Sequence, residues 1–434
     1  MASHRKQALL WRIDDDDPLR GDRGGHVRDT LVSLSADRIQ PGDYVPDPLI
    51  VDLFAGPGGL DVAAGWLGVP TIGIELDSDA CATRKAAGLA TVSGDVKAFR
   101  PADFPEARVL AGGPPCQTYT VAGGRDGGAG RRALKQVLDL ASLMAEGKNN
   151  KRKRARVDAE LAELAKAPGD KGRTGLVLEP LRWALTALRE ERPYKAIVLE
   201  QVTTVMPVWE AYAEILEGEG YSVDTGVLRT EEYGVPQTRK RAVLIARYHG
   251  SATLPEKTHR PFRKKLTPME EGRRPYVTMV DVLDRLAPFE VISNYGTGGD
   301  PKARGRRQHD EPAFTVTGKI RRNKVGPPGH PDCDPRFDDA EAGQLQSFPK
   351  DYPWRGKDIP QQIGNAIPPL LGIHILAAAL GLGNEARDTA VKKAIACGAA
   401  APESAPLPAG HLSNGVEVQG LFPVQVASLV EQPA

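Results

Sequence analysis

Cys116 closes the segment GGPPCQTYT (Gly112–Thr120), directly after the apolar run ARVLAGG. A lone cysteine is ordinarily an inert, buried residue. Here two prolines stiffen the approach and would set the thiol at the carboxyl edge of a sheet, where α/β proteins bind ligands. Glu200 ends a second apolar run, KAIVLEQV, and Arg239 and Arg241 lie in QTRKR before a third. Alternation along that third strand puts Arg239 and Arg241 on one face and Lys240 on the other. Two guanidiniums near a thiol favour the thiolate, the nucleophilic form, whose free pKa is about 8.5. A structural salt bridge is the plainer reading of Glu200 with an arginine.

A second group of residues could hold a small molecule. In DLFAGPGGLD (Asp52–Asp61) glycines stand between a strand and a helix, where the main chain can approach a ligand and the helix start offers free N–H groups. A tight turn without ligand has the same composition, and such motifs give false positives. Glu75 follows about 20 residues later, where an acid can accept hydrogen bonds from ribose hydroxyls. Asp95, after Gly94, is placed to reach an adenine amino group. GPGG lacks the glycine triplet that cradles a pyrophosphate, so a nucleoside without phosphate, such as S-adenosylmethionine, fits better than NAD.

These side chains need a frame. PLIVDLF, PTIGIELD, ATVSGDV, ARVLAGGPPC, KAIVLEQV and RKRAVLIARY read as strands, and LDVAAGWLG, DACATRKAAG and WEAYAEILEGEG as helices. Strands alternating with helices predict a parallel, doubly wound α/β sheet. Residues 1–47 read as a polar, poorly ordered arm and 48–248 as the sheet domain, with a basic helical insertion at about 126–173. Residues 249–325 mix Pro, Gly and Arg with short β-like stretches and read as a small separate domain. Residues 326–383 return to the main domain, and the Ala/Pro-rich 384–434 read as a tail.

Composition narrows the class. The 434 residues carry 57 Lys and Arg against 56 Asp and Glu, a formal charge of +1, so attraction to nucleic acid must come from local clusters. Cys81, Cys116, Cys333 and Cys397 are far apart with no CxxC pair, which predicts no metal site, no disulfide framework and a reducing, cytoplasmic setting. No uninterrupted apolar run reads as long enough to span a bilayer, and the N-terminus has an acidic run where a secretory signal needs an apolar core.

With these segments in hand, the chain from about Leu49 to Leu380 resembles the cytosine-C5 DNA methyltransferases. DLFAGPGG, IELD, GDV, GGPPCQ, LEQV, QTRKRAVLIA, EPAFTVTGK and QIGNAIPP are similar to that family's motifs I, II, III, IV, VI, VIII, the start of IX, and X, in the family's order. The resemblance implies a Rossmann-like class I methyltransferase sheet with a small, mixed target recognition domain, and S-adenosyl-L-methionine as cofactor. It implies double-stranded DNA as substrate (nucleoid-associated in the cell), a monomer, and a cognate restriction endonuclease as a partner. Cys116 would attack C6 of a cytosine flipped out of the duplex, and Glu200 would hold N3 and the exocyclic amine. Arg239 and Arg241 would bind the nucleotide's carbonyl and phosphate. Phe54, Ala55, Gly56, Gly58, Gly59, Leu60, Glu75, Leu76, Asp95, Val96, Pro114, Asn365 and Ile367 would line the cofactor site. Gln117, Thr120 and Gly123, in a loop that closes over the flipped base, would touch DNA, as would Lys151, Arg152, Arg304, Arg306, Arg307, Lys319 and Arg321.

The chain departs from the family in three places. Gln201 follows the catalytic carboxylate where Asn is usual, the basic insertion lengthens the segment after the nucleophile loop, and the recognition stretch is short. The insertion is either a solvated helical face or a phosphate contact beside the site. Two rivals share these residues: a tRNA cytosine methyltransferase, whose Cys-Phe-Thr signature is absent, and a DNA-binding protein silenced at Gln201.

Overall fold

Apolar runs bounded by glycine or proline become the expected strands, and the structure adds others. The computed structural model describes residues 49–115, 127–166, 173–263, 272–285, 288–293, 304–330 and 335–399. The expected arm, 1–47, lies outside them, as do Cys116, Gln117, Thr120 and Gly123. In chain order the first elements are β1 (Leu49–Leu53), α1 (Gly59–Leu67), β2 (Thr71–Glu75), α2 (Ser78–Ala86), β3 (Thr91–Ser93) and β4 (Ala107–Gly112). Then come α3 (Gly127–Glu146), α4 (Lys151–Leu164), α5 (Glu179–Arg189), β5 (Ala196–Gln201), α6 (Met206–Gly218), β6 (Ser222–Arg229) and β7 (Lys240–Arg247).

One seven-stranded sheet results, in the order β3-β2-β1-β4-β5-β7-β6. Every neighbouring pair is parallel except those of β7, which runs antiparallel to β5 and to β6. This is the expected doubly wound Rossmann-like sheet, mostly parallel, with β7 reversed. Residues 230–239 are too few for the crossover of about a dozen or more residues that a parallel return needs, so the chain doubles back.

Alternate strand residues enter opposite layers. Ile50, Val109, Ala111, Val198, Val243 and Ile245 pack on one side, and Val51, Leu53, Leu110, Leu199 and Leu244 on the other. The second layer is closed by α3, α5 and α6 through Val137, Trp183 and Trp209.

The first layer is closed by C-terminal elements: α7 (Asp339–Leu345), α8 (Ile359–Asn365), α9 (Pro369–Leu380) and α10 (Asn384–Ala399). A Cβ on Gly372 would lie 2.8 Å from Ala63 Cβ, so the missing side chain lets α9 cross α1 closely. The stretch Ile359–Leu380 is long and apolar enough to cross a membrane by average composition, but it is two helices, broken at Ala366–Pro368 and mostly buried in this layer. The tail expected from residue 384 is also corrected. It begins with α10, whose Ala390, Val391 and Ala394 enter the core.

A three-stranded antiparallel sheet, β8 (Glu290–Ile292), β9 (Arg306–Gln308) and β10 (Lys324–Gly326), has the order β10-β8-β9. Met279, Leu283, Phe289, Val291 and Val325 around it join the cluster that holds Ile50, Ala63 and Ile373. The region expected as a separate domain therefore shares the main core. Its last part is bound directly to the start of β7. Thr238 N donates to Ala313 O at 2.9 Å, Thr315 Oγ1 to Thr238 O at 2.6 Å, and Val316 N to Gln237 Oε1 at 2.9 Å.

Candidate active site

The carboxyl ends of β1, β2 and β3 gather the first group of residues. Phe54 holds φ 62°, a left-handed conformation rare for an aromatic residue, and Gly56 and Gly58 continue the turn at φ 55° and 102°. Glu75 orders this turn. Its Oε2 accepts from Gly56 N at 2.7 Å, while Oε1 accepts from Leu76 N at 2.8 Å and Asp77 N at 2.7 Å. Oε2, with one donor, retains accepting capacity, whereas Oε1 already accepts two. Gly94 N donates to Glu75 O at 2.8 Å, which brings Asp95 beside it; Asp95 caps the following turn through Lys97 N at 3.0 Å. Leu76, 67% exposed, is the most exposed large apolar residue among the described residues and adjoins this acid. A Cβ on Gly59 would lie 2.1 Å from Ile367 O, so the turn before α9 closes onto the start of α1. Asn365, exposed, accepts from Gln361 Nε2 at 2.7 Å.

This cradle fits a nucleoside. It has a strained glycine turn, an acid with a spare lone pair on Oε2, and an unpaired apolar side chain for a base to cover. Leu60 and Val96 are corrected in one respect: both turn their side chains into the core, 5% and 3% exposed, and can offer a ligand only main-chain groups.

Beneath the cradle is a feature that sequence reading missed. Arg84, fully buried, meets Asp61 with two nitrogens at 2.7 and 2.8 Å, and its other contacts include Ala90 O at 3.0 Å and Thr91 Oγ1 at 3.0 Å. A Cβ on Gly73 would fall 2.1 Å from Arg84 Nη2, so only glycine leaves room for the guanidinium. Burial pushes Asp52 well above the usual carboxylate range, with Asp61 adding to the shift. Asp61 and Arg84 stand 23 positions apart, too far for local spacing to signal the pair.

The ends of β4, β5 and β7 gather the second group. Glu200 is 8% exposed, and its Oε1 pairs with Arg241 Nε at 2.7 Å. Gly113 keeps this corner open: a Cβ there would lie 4.0 Å from Glu200 Oε2. Gln201 Nε2 donates to Pro114 O at 2.6 Å, and its Oε1 accepts from Val202 N at 2.5 Å. The amide thus ties the end of β5 to the main chain two residues before Cys116. Lys240 is exposed, on the opposite side of the strand from the arginines.

Arg239 is corrected. It is 1% exposed and donates to Val316 O at 2.8 Å, Gly364 O at 2.9 Å and Ala366 O at 3.3 Å. It clamps three segments together and has no exposed donor face for a nucleotide. Burial, with Arg241 beside it, pulls Arg239 well below the usual arginine range.

The family model for C-5 cytosine-specific DNA methylases matches residues 49–146 and 181–380, the span that carries both groups. The chain belongs to this family. It is similar to the type II methyltransferase M1.HphI of Haemophilus parahaemolyticus, 26% identical over 76% of this chain and 86% of that protein. It is also similar to M.NgoFVII of Neisseria gonorrhoeae, 27% identical over 74% and 83%. Among solved structures it is similar to the S. pombe Dnmt2 methyltransferase, with TM-score 0.48 and 14% identity over 77% of this chain and 98% of that one.

The methylase's expected DNA contacts divide in the structure. Lys151 and Arg152 are exposed at the far end of α3, a 20-residue helix and so about 30 Å from the side of the nucleophile loop. Lys148 pairs there with Glu219, just before β6 begins, at the edge of the sheet opposite the catalytic one. Both residues are therefore corrected as contacts beside the site. Arg306 pairs with Glu290 at 2.9 Å and Arg321 with Asp339 at 2.7 Å. Arg307 stacks on Phe262 and Phe314 at 4.5 and 4.7 Å, a packing role. Arg304 and Lys319 make no ion pair among the described residues.

Proposed function

We propose that this methylase transfers a methyl group to C5 of a cytosine flipped out of a specific duplex DNA sequence, through a covalent bond from Cys116 to C6. When bound, S-adenosylmethionine supplies a methyl on a positively charged sulfur, the electrophile of the reaction. The Cys116 thiolate adds to C6, breaking the C5–C6 double bond. Glu200 holds N3 and the exocyclic amine, so the charge of addition is neutralised and C5 becomes nucleophilic. Arg241 keeps Glu200 in place and meets the nucleotide's carbonyl. After C5 is methylated, loss of its proton and of the thiolate restores the ring. Extruding the base costs a few kcal/mol, to be returned by contacts at Glu200 and Arg241. Glu75, Leu76 and the 54–60 turn would hold the cofactor, with Asp95, Asn365 and Ile367 beside them.

The observation that carries this reading is the corner where the buried Glu200–Arg241 pair and the Gln201-tethered Pro114 meet. A monomer suffices for the chemistry, a cytoplasmic location suits it, and a restriction endonuclease reading the same sequence is the proposed partner. Purified protein with tritiated S-adenosylmethionine and unmethylated duplex DNA tests the proposal, beside Cys116→Ala and a tRNA substrate. Label in DNA that vanishes with the variant is expected. Label in tRNA alone would move the reading to RNA, and label in neither would leave a binding protein.

A further inference from the structure

Arg229 and Lys240 face each other across β6 and β7, their Cα atoms paired directly in the register. Residues so opposed project to the same side with Cβ atoms about 4.5–5.5 Å apart, and like charges there repel each other. Lys240 has no side-chain partner among the described residues, and Arg229 has one long ion pair. Arg229 Nη1 lies 3.8 Å from Glu231 Oε1, and Glu231, 1% exposed, has no hydrogen-bond donor at its other oxygen. Lys240 is exposed and makes no side-chain hydrogen bond or ion pair among the described residues. Both residues line an open groove of about 410 Å³ with Thr203, Thr238 and Arg241.

The groove joins two chemistries. Alternation sends Arg241 to the face of Glu200 and sends the Arg229–Lys240 pair to the other face, so the groove wraps the sheet edge. One end meets the corner proposed for the cytosine ring. The other end is a repelling pair of cations that one anionic group between them would satisfy.

We propose that Arg229 and Lys240 hold a backbone phosphate of the strand that carries the extruded cytosine, which fixes the nucleotide as its base enters the Glu200 corner. This rests on the DNA reading above. The phosphate draws the two cations together, and Glu231 limits where the Arg229 guanidinium can swing. Contacts of this kind position a nucleic acid without reading its sequence.

The test is binding of a fluorescein-labelled unmethylated duplex across a salt series, followed by methyl transfer to the same duplex. The Arg229→Ala, Lys240→Ala double variant should reduce the slope of log affinity against log salt by about 0.9, one phosphate's worth, and each single variant by part of that. Lys240→Arg should keep the parent slope, and so should Arg152→Ala at the far end of the molecule. Lys240→Ala removes one of two repelling charges and leaves the Arg229–Glu231 pair intact, so it should leave the melting temperature equal or higher, whereas a merely structural role would lower it. An unchanged slope in the double variant, with a parent that binds and methylates the duplex, overturns this proposal alone. A parent that neither binds nor methylates it overturns the DNA reading as well.

Discussion

Replacing Gln201 with Ala removes one side chain that joins two parts of the catalytic corner. The amide donates to Pro114 O at 2.6 Å and accepts from Val202 N at 2.5 Å, so the substitution leaves a carbonyl and an N–H without partners. Each such loss costs about 1–3 kcal/mol where the group is shielded from water, and Pro114 is buried. If half of the combined cost falls on the transition state, the rate should drop roughly 10- to 100-fold, at about 1.4 kcal/mol per factor of ten. Gln201→Asn restores the residue usual in the family but shortens the arm by one methylene. It can meet Pro114 O only if the main chain moves, so it should lie between parent and Ala. Single-turnover methyl transfer gives the rate, and the rate of Cys116 alkylation by iodoacetamide reports the loop directly. Affinity for S-adenosylmethionine should fall less than the transfer rate, because Gln201 reaches the expected cofactor residues only through Pro114. If Gln201→Ala keeps the parent's transfer and alkylation rates, the tether is incidental and this reasoning is wrong.

Other expectations follow from the same contacts. Arg84→Met strands Asp61 beside Asp52 and should cost about 3–5 kcal/mol in urea unfolding, while adding Asp61→Asn should recover part of it; a single-variant loss under ~1 kcal/mol would contradict the buried pair. Gly59→Ala drives a Cβ into Ile367 O, 2.1 Å away, and should weaken S-adenosylmethionine binding at least tenfold by calorimetry; binding equal to the parent's would remove this contact from the account. His259 and His374 are pulled down by burial to about 4 and about 3, below the ordinary value near 6.5. The unfolded chain then binds more protons between these values, so stability is full above about pH 6.5 and is lost as pH falls through 4 towards 3. His374→Leu should flatten that loss in melts from pH 7.5 to 4.5, and an unaltered pH profile would exclude the histidine.

Legibility tracked how local the signal was. The glycine turn, Glu75, Glu200 and the strand alternation that pairs Arg239 with Arg241 are written within a few residues each. Depth is not written that way. Alternation puts both arginines on one face, but only the arrival of Val316, Gly364 and Ala366 makes one of them a clamp. α10 was missed because its buried residues, Ala390, Val391 and Ala394, are mostly small, so an Ala-rich helix reads as a tail. The reversal of β7 depends on a short connection, and the shared core of the recognition region on partners far away in sequence. Lys151 and Arg152 looked like DNA contacts because charge is visible in sequence and position is not; a helix of 20 residues carried them to the wrong end.

The central claim is that Cys116 bonds to C6 of a cytosine that the Glu200 corner receives. A duplex with 5-fluorocytosine at the target position tests this most directly, because fluorine cannot leave C5 as a proton does and the adduct stays closed. With S-adenosylmethionine present, mass spectrometry of the digested complex should place one methylated nucleotide on the peptide that contains Cys116, and none with Cys116→Ala. An adduct on another residue, or methylation of ordinary duplex DNA that survives Cys116→Ala, would contradict the account.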